Sequence, residues 1–176
     1  MAPAIMETIM GLDGKLEPRA PVQPFEMQLI ESEIIINAPL EQVWAVLADF
    51  PNYHRWNRFC SKLETSGIIG EPVLMTVHLK PDKSPILQRE ILSDFIPREE
   101  MGWRLNWGFL LKTHRIQRLA KIDECTTHYY TFDKFWGVLT PLVMALYQKD
   151  MQRGFDLTAR GLKAFVELSG RKVSTE

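Results

Sequence analysis

A single long amphipathic helix, predicted at the C-terminal end of the chain, limits the folds that are open to this sequence. Thr140 and Pro141 favour a helix start, and Gly170 favours a helix end. Gly154 and Gly161 lie inside this segment and predict close packing or a bend, because each costs about 1 kcal/mol relative to alanine. The helix would be roughly 40 Å long, and its buried stripe is Met144, Tyr147, Met151, Phe155, Thr158, Leu162 and Phe165.

The chain before this helix reads as a series of strands that can cover the stripe. A strand is predicted over 27–37, followed by short helices over 40–50 and 53–57. Further strands are predicted over 59–66, 73–80, 86–96, 101–107, 113–122 and 127–135. Short strands joined by turns indicate an antiparallel meander.

The first 27 residues differ in character from the rest of the chain. Proline fixes φ and removes a hydrogen-bond donor, so this stretch is a poor helix or strand; its prolines are Pro3, Pro18, Pro21 and Pro24. We predict a flexible extension over 1–27, a folded domain over 28–170 and a short tail over 171–176. The alternative is an arm that docks through Ile5, Ile9 and Met10.

Composition and charge exclude several classes of protein. The formal net charge of −1 gives no bulk electrostatic case for binding nucleic acid. Two cysteines, Cys60 and Cys125, are too few for a disulfide framework or a cysteine-based zinc site. The four histidines fall on separate elements and no cofactor motif occurs, so we expect neither a metal nor a cofactor.

The longest apolar run, 138–147, is about half the length of a membrane span. No signal peptide is evident, which favours the cytoplasm.

Four local motifs occur in order along the chain. Residues 34–44 read IIINAPLEQVW, residues 49–57 read DFPNYHRWN, residues 135–139 read FWGVL, and the last helix carries Gly154-Phe155 and Leu162-Lys163. In these motifs the chain resembles the SRPBCC superfamily from residue 28 to about 168. This is the helix-grip group that contains the START lipid-binding domains, the birch-pollen allergens and bacterial polyketide cyclases.

The resemblance implies an α+β helix-grip fold. A curved antiparallel sheet would wrap around one long C-terminal helix, with two short helices after the first strand and an apolar cavity between sheet and helix. The implied partner is a small hydrophobic ligand, namely a polyketide, a lipid or an isoprenoid.

The resemblance does not imply one activity, because members include carriers, sensors and enzymes. Two functions therefore stay open: a cyclase or dehydratase that promotes aldol ring closure, and a non-catalytic carrier or sensor. The apolar segment 138–147 would then give a carrier peripheral contact with a membrane. A cyclase needs several polar groups that converge in the cavity, whereas a carrier needs one or two near its mouth.

Strand alternation and the helix stripe predict which side chains line the cavity. The same positions can also serve as plain core. The candidates are Trp56, Met75, Trp103, Trp107, Tyr129, Thr131, Phe135, Tyr147, Met151 and Phe155.

Two polar pairs are the candidates for chemistry. Asp133 shares its strand face with Tyr129 and Phe135, and His114 lies on the preceding strand, where it could sit diagonally from Asp133. An imidazole oriented by a carboxylate is a workable general base, and the alternative is a structural hydrogen-bonded pair.

Arg89 and Arg118 fall on predicted inward faces, where a guanidinium would hold a carboxylate or an enolate. A one-residue bulge would turn either arginine outward instead.

Overall fold

The computed structural model describes residues 8–10, 16–18 and 26–173. Its two α-helices are α1 (Leu40–Leu47) and α2 (Thr140–Val173), and a 3-10 helix covers Phe50–Arg55. The strands are β1 (Thr8–Met10), β2 (Leu16–Pro18), β3 (Gln28–Ile36), β4 (Cys60–Thr65), β5 (Pro72–Val77), β6 (Ile86–Ile96), β7 (Glu100–Asn106), β8 (Lys112–Asp123) and β9 (Thr126–Trp136).

Strands β3 to β9 form one antiparallel sheet in the order β3-β9-β8-β7-β6-β5-β4. Each strand from β4 to β9 pairs with its sequence neighbour, and β3 pairs with β9. The predicted meander and the helix-grip architecture are therefore confirmed. The last residues of β5, β7 and β9 and the first residues of β6, β8 and α2 all lie at one end of this sheet.

Helix α2 packs against the concave face of the sheet. Phe155, Ala159, Leu162 and Val166 are buried on its inner side, so their apolar surface is removed from water. A Cβ at Gly154 would lie 2.3 Å from the ring of Phe59. This contact confirms that the glycine permits a close approach of the helix to the sheet.

Two predictions about element ends are wrong. Gly170 does not end α2, which continues to Val173, because no proline follows and the penalty of one glycine is small. Trp107 does not continue the inward face of β7, because the strand ends at Asn106 and the chain turns at Gly108, where φ is 63°. The Trp107 side chain is 58% exposed.

The N-terminal extension contains more structure than its prolines predict. β1 and β2 pair as antiparallel strands, and the five residues between them include the turn formers Gly11, Asp13 and Gly14. Pro18 is the last residue of its strand, where the missing N–H costs least. Most of the extension over 1–27 that was predicted to be flexible lies outside the described part of the chain. The same holds for Ile5, one of the residues through which an arm could dock.

Among the described residues, no helix is both long enough and apolar enough to cross a membrane.

Candidate functional site

An internal cavity of about 100 Å³ lies between the sheet and α2. Strands β5 to β9 supply one wall, and Met151 and Phe155 of α2 supply the opposite wall. Most of the lining side chains are buried, but Gln88 is half-buried and the apolar residues Leu79, Ile86 and Met151 are partly exposed. The cavity therefore reaches the surface beside these three apolar residues, which we call the mouth.

Sheet register places two polar side chains directly opposite each other on the cavity wall. Asp133 of β9 pairs with Arg115 of β8, and Arg115 pairs with Trp103 of β7. Directly opposed residues of an antiparallel pair lie on the same face. Each of the three is at most 9% exposed.

Four side-chain atoms of this wall are buried without a hydrogen-bond partner among the described residues. They are Glu90 Oε2, Thr113 Oγ1, Arg115 Nε and Asp133 Oδ1. A buried polar atom without a partner costs roughly 1–3 kcal/mol. These four atoms are free to pair with a polar part of a ligand or with ordered water.

Burial changes the acidity of the groups at the cavity. It raises the pKa of Glu90 to about 7, against the lowering effect of Arg115 and of the Gln88 amide. Burial also raises the pKa of Asp133, with a further rise from the charge of Glu90 and an opposing effect of Arg115. Two buried carboxyl groups beside one cation can keep one ionised and one neutral member near pH 7.

The neighbouring phenol and thiol groups remain protonated. Burial raises the pKa of Cys60 to about 11 and that of Tyr129 to about 12, and it also raises the pKa of Tyr53. The hydroxyl of Tyr129 donates to Gln117 Oε1 at 2.7 Å. These groups therefore act near neutral pH as polar contacts rather than as nucleophiles.

The structure places six of the predicted site residues at the cavity wall. Asp133 is the polar member, and the apolar members are Met75, Trp103, Phe135, Met151 and Phe155. Their roles in binding or chemistry remain predictions.

His114 lies on the other side of the sheet from the cavity, and the predicted pair with Asp133 is not formed. Its Nε2 is 2.8 Å from Asp94 Oδ2 and 3.3 Å from Ser93 Oγ. The Asp94 side chain lies over Gly102 on its way to His114, and a Cβ at Gly102 would lie 3.1 Å from the Asp94 carboxylate. Its partner is thus Asp94, brought there by an irregularity of β6 between Leu92 and Asp94.

Arg89 and Arg118 also point away from the cavity, so the inward faces predicted for them are wrong. Both side chains are exposed. Arg118 donates from Nε and Nη2 to Glu100 Oε2, at 2.9 and 2.7 Å. The error has a physical reason: Leu87 and Ile116 lie on the outer face, while polar residues occupy several inward positions of these strands, such as Glu90 and Arg115.

The remaining predicted residues lie outside the cavity lining. Trp56 is buried against Tyr53, with ring centres 4.8 Å apart. Tyr129 and Thr131 are fully buried in the wall beside the cavity. Tyr147 lies under Lys80, with 5.3 Å between the ammonium nitrogen and the ring centre; like the exposed Trp107, it does not line the cavity.

Sequence reasoning missed the charged residues that do face the cavity, Glu90 and Arg115, and their amide neighbours Gln88 and Gln117. One signal was available. The turn between β8 and β9 brings Thr113 opposite Phe135, so an inward Phe135 implies an inward Thr113 and, two residues on, an inward Arg115.

Comparison with known proteins agrees with this architecture. A family profile described as "Polyketide cyclase / dehydrase and lipid transport" matches residues 27–167. A search of curated proteins found no match.

Solved structures share the fold at low sequence identity. The Zhui aromatase/cyclase from Streptomyces sp. R1128 is 16% identical with a TM-score of 0.65, over 81% of this chain and 94% of that chain. A START superfamily protein from Mycobacterium smegmatis is 14% identical with a TM-score of 0.60, over 80% of this chain and 97% of that chain.

Proposed function

Because the chain belongs to the polyketide cyclase/dehydrase and lipid transport family of the SRPBCC superfamily, we propose that it is an enzyme acting on a small, largely apolar molecule with several carbonyl groups. The reaction would be aldol ring closure followed by dehydration. The observation that carries this proposal is the convergence of Glu90, Arg115 and Asp133 on one cavity, each with a buried unpaired atom. A carrier gains nothing from three buried ionisable groups, which are costly to bury.

The proposed division of work follows from charge. The ionised member of the Glu90 and Asp133 pair removes a proton from a carbon between two carbonyl groups. Arg115 stabilises the enolate oxygen that forms. The enolate carbon then bonds to a second carbonyl carbon, and the resulting alkoxide takes a proton from the other, neutral carboxyl group.

Dehydration returns both carboxyl groups to their starting states. The newly ionised carboxylate removes a second proton from the α-carbon. The hydroxyl group leaves with the proton that the first carboxyl group had gained, so one water is released. The pKa of Glu90 near 7 suits it to both roles, because an acid–base group works best near the operating pH.

A substrate requires more room than the closed cavity offers. Ligand pockets are typically about 300–1,000 Å³, whereas this cavity measures about 100 Å³. Three polar contacts among the described residues tie the connection between β5 and β6 to α2 beside the mouth. Arg153 Nη2 donates to the Leu79 carbonyl at 2.7 Å, Lys80 is 3.9 Å from Asp150, and the Lys80 ammonium is 5.3 Å from the centre of the Tyr147 ring. Partly exposed contacts of this kind contribute little each, so opening at the mouth is inexpensive.

The test uses a reconstituted polyketide synthase that releases a linear poly-β-ketone. Products are compared by liquid chromatography and mass spectrometry with and without the purified chain. We expect the wild type to convert the spontaneous mixture to one dominant cyclised product. Glu90→Gln and Asp133→Asn should slow formation of that product about 100-fold or more.

His114→Ala is the matched control, because this histidine lies on the outer face of the sheet, where its Nε2 is 2.8 Å from Asp94 Oδ2. It should leave the product unchanged. An unaltered product mixture with the wild type, together with a lipid or isoprenoid retained in native mass spectrometry, would instead indicate a carrier.

A further inference from the structure

An exposed apolar surface lies at the end of the sheet that carries the cavity mouth. Trp107, Phe109 and Leu110 belong to the connection between β7 and β8, and Phe109 is 76% exposed. Val138 lies in the turn just before α2, and Leu142 and Leu146 lie four residues apart in its first turns, and thus on one side of the helix. We call these six residues the tip patch; all of them are more than 40% exposed.

Backbone hydrogen bonds join the two halves of the tip patch. Val138 N–H donates to the Phe109 carbonyl at 3.1 Å, and Leu139 N–H donates to the Leu110 carbonyl at 2.9 Å. The apolar side chains are therefore presented by one connected piece of backbone. Isolated apolar side chains on a surface need no explanation, but a contiguous patch marks an interaction site.

The charged residues that flank the tip patch are basic. The segments 101–114 and 134–149 contain Arg104, Lys112, Lys134 and Lys149 but no aspartate or glutamate. Arg104 and Lys134 are the direct strand neighbours of His114 on the outer face. The connection between β5 and β6 at the same end of the sheet adds Lys83 and Lys80 against Asp82, and Lys80 lies 3.9 Å from Asp150 of α2.

An open groove of about 360 Å³ lies beside the tip patch and is lined by Arg104, Lys112, His114 and Trp136. Asp94 also lines it, but its carboxylate already accepts from Ser93 and lies 2.8 Å from His114. The groove therefore presents cationic donors next to an apolar surface. That combination fits the anionic headgroups and the outer acyl chains of a lipid bilayer.

We propose that the tip patch docks on a membrane surface that contains anionic lipids, and that this docking holds the cavity mouth against the bilayer. Trp107 and Phe109 enter the interface, where amphipathic aromatic rings are favoured. The basic residues face the headgroups. A second copy of the chain fits less well, because the same basic residues would face each other. This inference does not depend on whether the cavity is catalytic.

Vesicle sedimentation of the full chain tests the proposal. The wild type should sediment with vesicles of phosphatidylcholine and phosphatidylserine, and not with phosphatidylcholine alone. Phe109→Asp should weaken the binding about tenfold or more. Lys112→Glu should weaken it about fivefold or more, and added salt should weaken the wild type similarly.

The matched controls lie at the opposite end of the sheet. Ile68→Asp changes an apolar side chain that is 62% exposed, and Lys121→Glu changes a lysine near the far end of β8. Both should bind like the wild type. The Trp107→Phe variant should lose part of the blue shift in tryptophan fluorescence that vesicles produce.

Three results would overturn the proposal. The first is a wild type that does not sediment with anionic vesicles. The second is binding that Phe109→Asp and the two control variants reduce equally. The third is a wild type that self-associates in sedimentation velocity without lipid and becomes monomeric on Phe109→Asp, which would identify the tip patch as an interface between copies.

Discussion

The guanidinium carbon of Arg115 lies 3.8 Å from the centre of the Phe155 ring, so a cation of β8 rests on the face of an aromatic side chain of α2. Both residues are buried. A desolvated contact of this kind contributes about 2 kcal/mol. It also fixes the position of the guanidinium at the cavity, between the sheet and the helix.

Phe155→Ala should therefore destabilise the chain strongly. Loss of a fully buried phenylalanine costs about 3–5 kcal/mol, and the ring is only 2% exposed. The measurement is the free energy of unfolding in urea. The control is Phe165→Ala, on the same helix but half-buried, which should lower the free energy of unfolding less. A decrease below about 1 kcal/mol for Phe155→Ala would contradict the place of Phe155 in the core.

Glu90 should make stability fall as pH rises. An acid whose pKa is higher in the folded chain than in the unfolded chain takes up protons on folding. The free energy of unfolding therefore falls as the pH rises from the unfolded-state pKa to the folded-state pKa. For Glu90 these are 4.5 and about 7, which corresponds to about 3 kcal/mol. The measurement is the free energy of unfolding in urea between pH 4.5 and about pH 7. This free energy should fall less steeply with pH in Glu90→Gln than in the wild type. Equal pH dependence of the two proteins would argue against the raised pKa.

Asp133→Asn separates chemistry from structure. The change removes a buried group whose ionisation is costly, so the melting temperature at pH 8 should not fall. If Asp133 moves protons, turnover should drop about 100-fold or more while ligand binding is kept. If it serves only structure, the melting temperature falls instead, while ligand affinity and turnover stay unchanged.

Gly161→Ala should destabilise the chain although alanine is the better helix former. A Cβ at this position would lie 2.3 Å from the Trp56 carbonyl oxygen, which is backbone and cannot rotate away. Overpacking of this kind costs about 1–3 kcal/mol, more than the gain of about 1 kcal/mol in helix propensity. Urea unfolding measures the net effect. A net gain in stability would mean that the helix can shift away from the 3-10 helix.

Register explains which site residues the sequence could predict. On β9 the inward positions alternate with the outward ones, and the apolar Tyr129 and Phe135 reveal the face on which Asp133 lies. On β6 and β8 the inward positions include Glu90, Arg115 and Gln117, while Ile116 is buried on the outer face. Hydrophobic alternation then indicates the wrong face, because a polar cavity inverts the pattern on which the prediction depends.

The order of the elements, the antiparallel meander and the buried stripe of α2 follow from local patterns in the chain, since strand alternation and helical spacing depend on neighbouring residues alone. The tertiary structure decided which charges meet. Arg115 and Asp133 become neighbours across the strands only through the pairing of β8 with β9, and His114 meets Asp94 only because β6 is irregular and Gly102 leaves space between them. Contacts between strands depend on register and on side-chain space at distant positions, which no local pattern records.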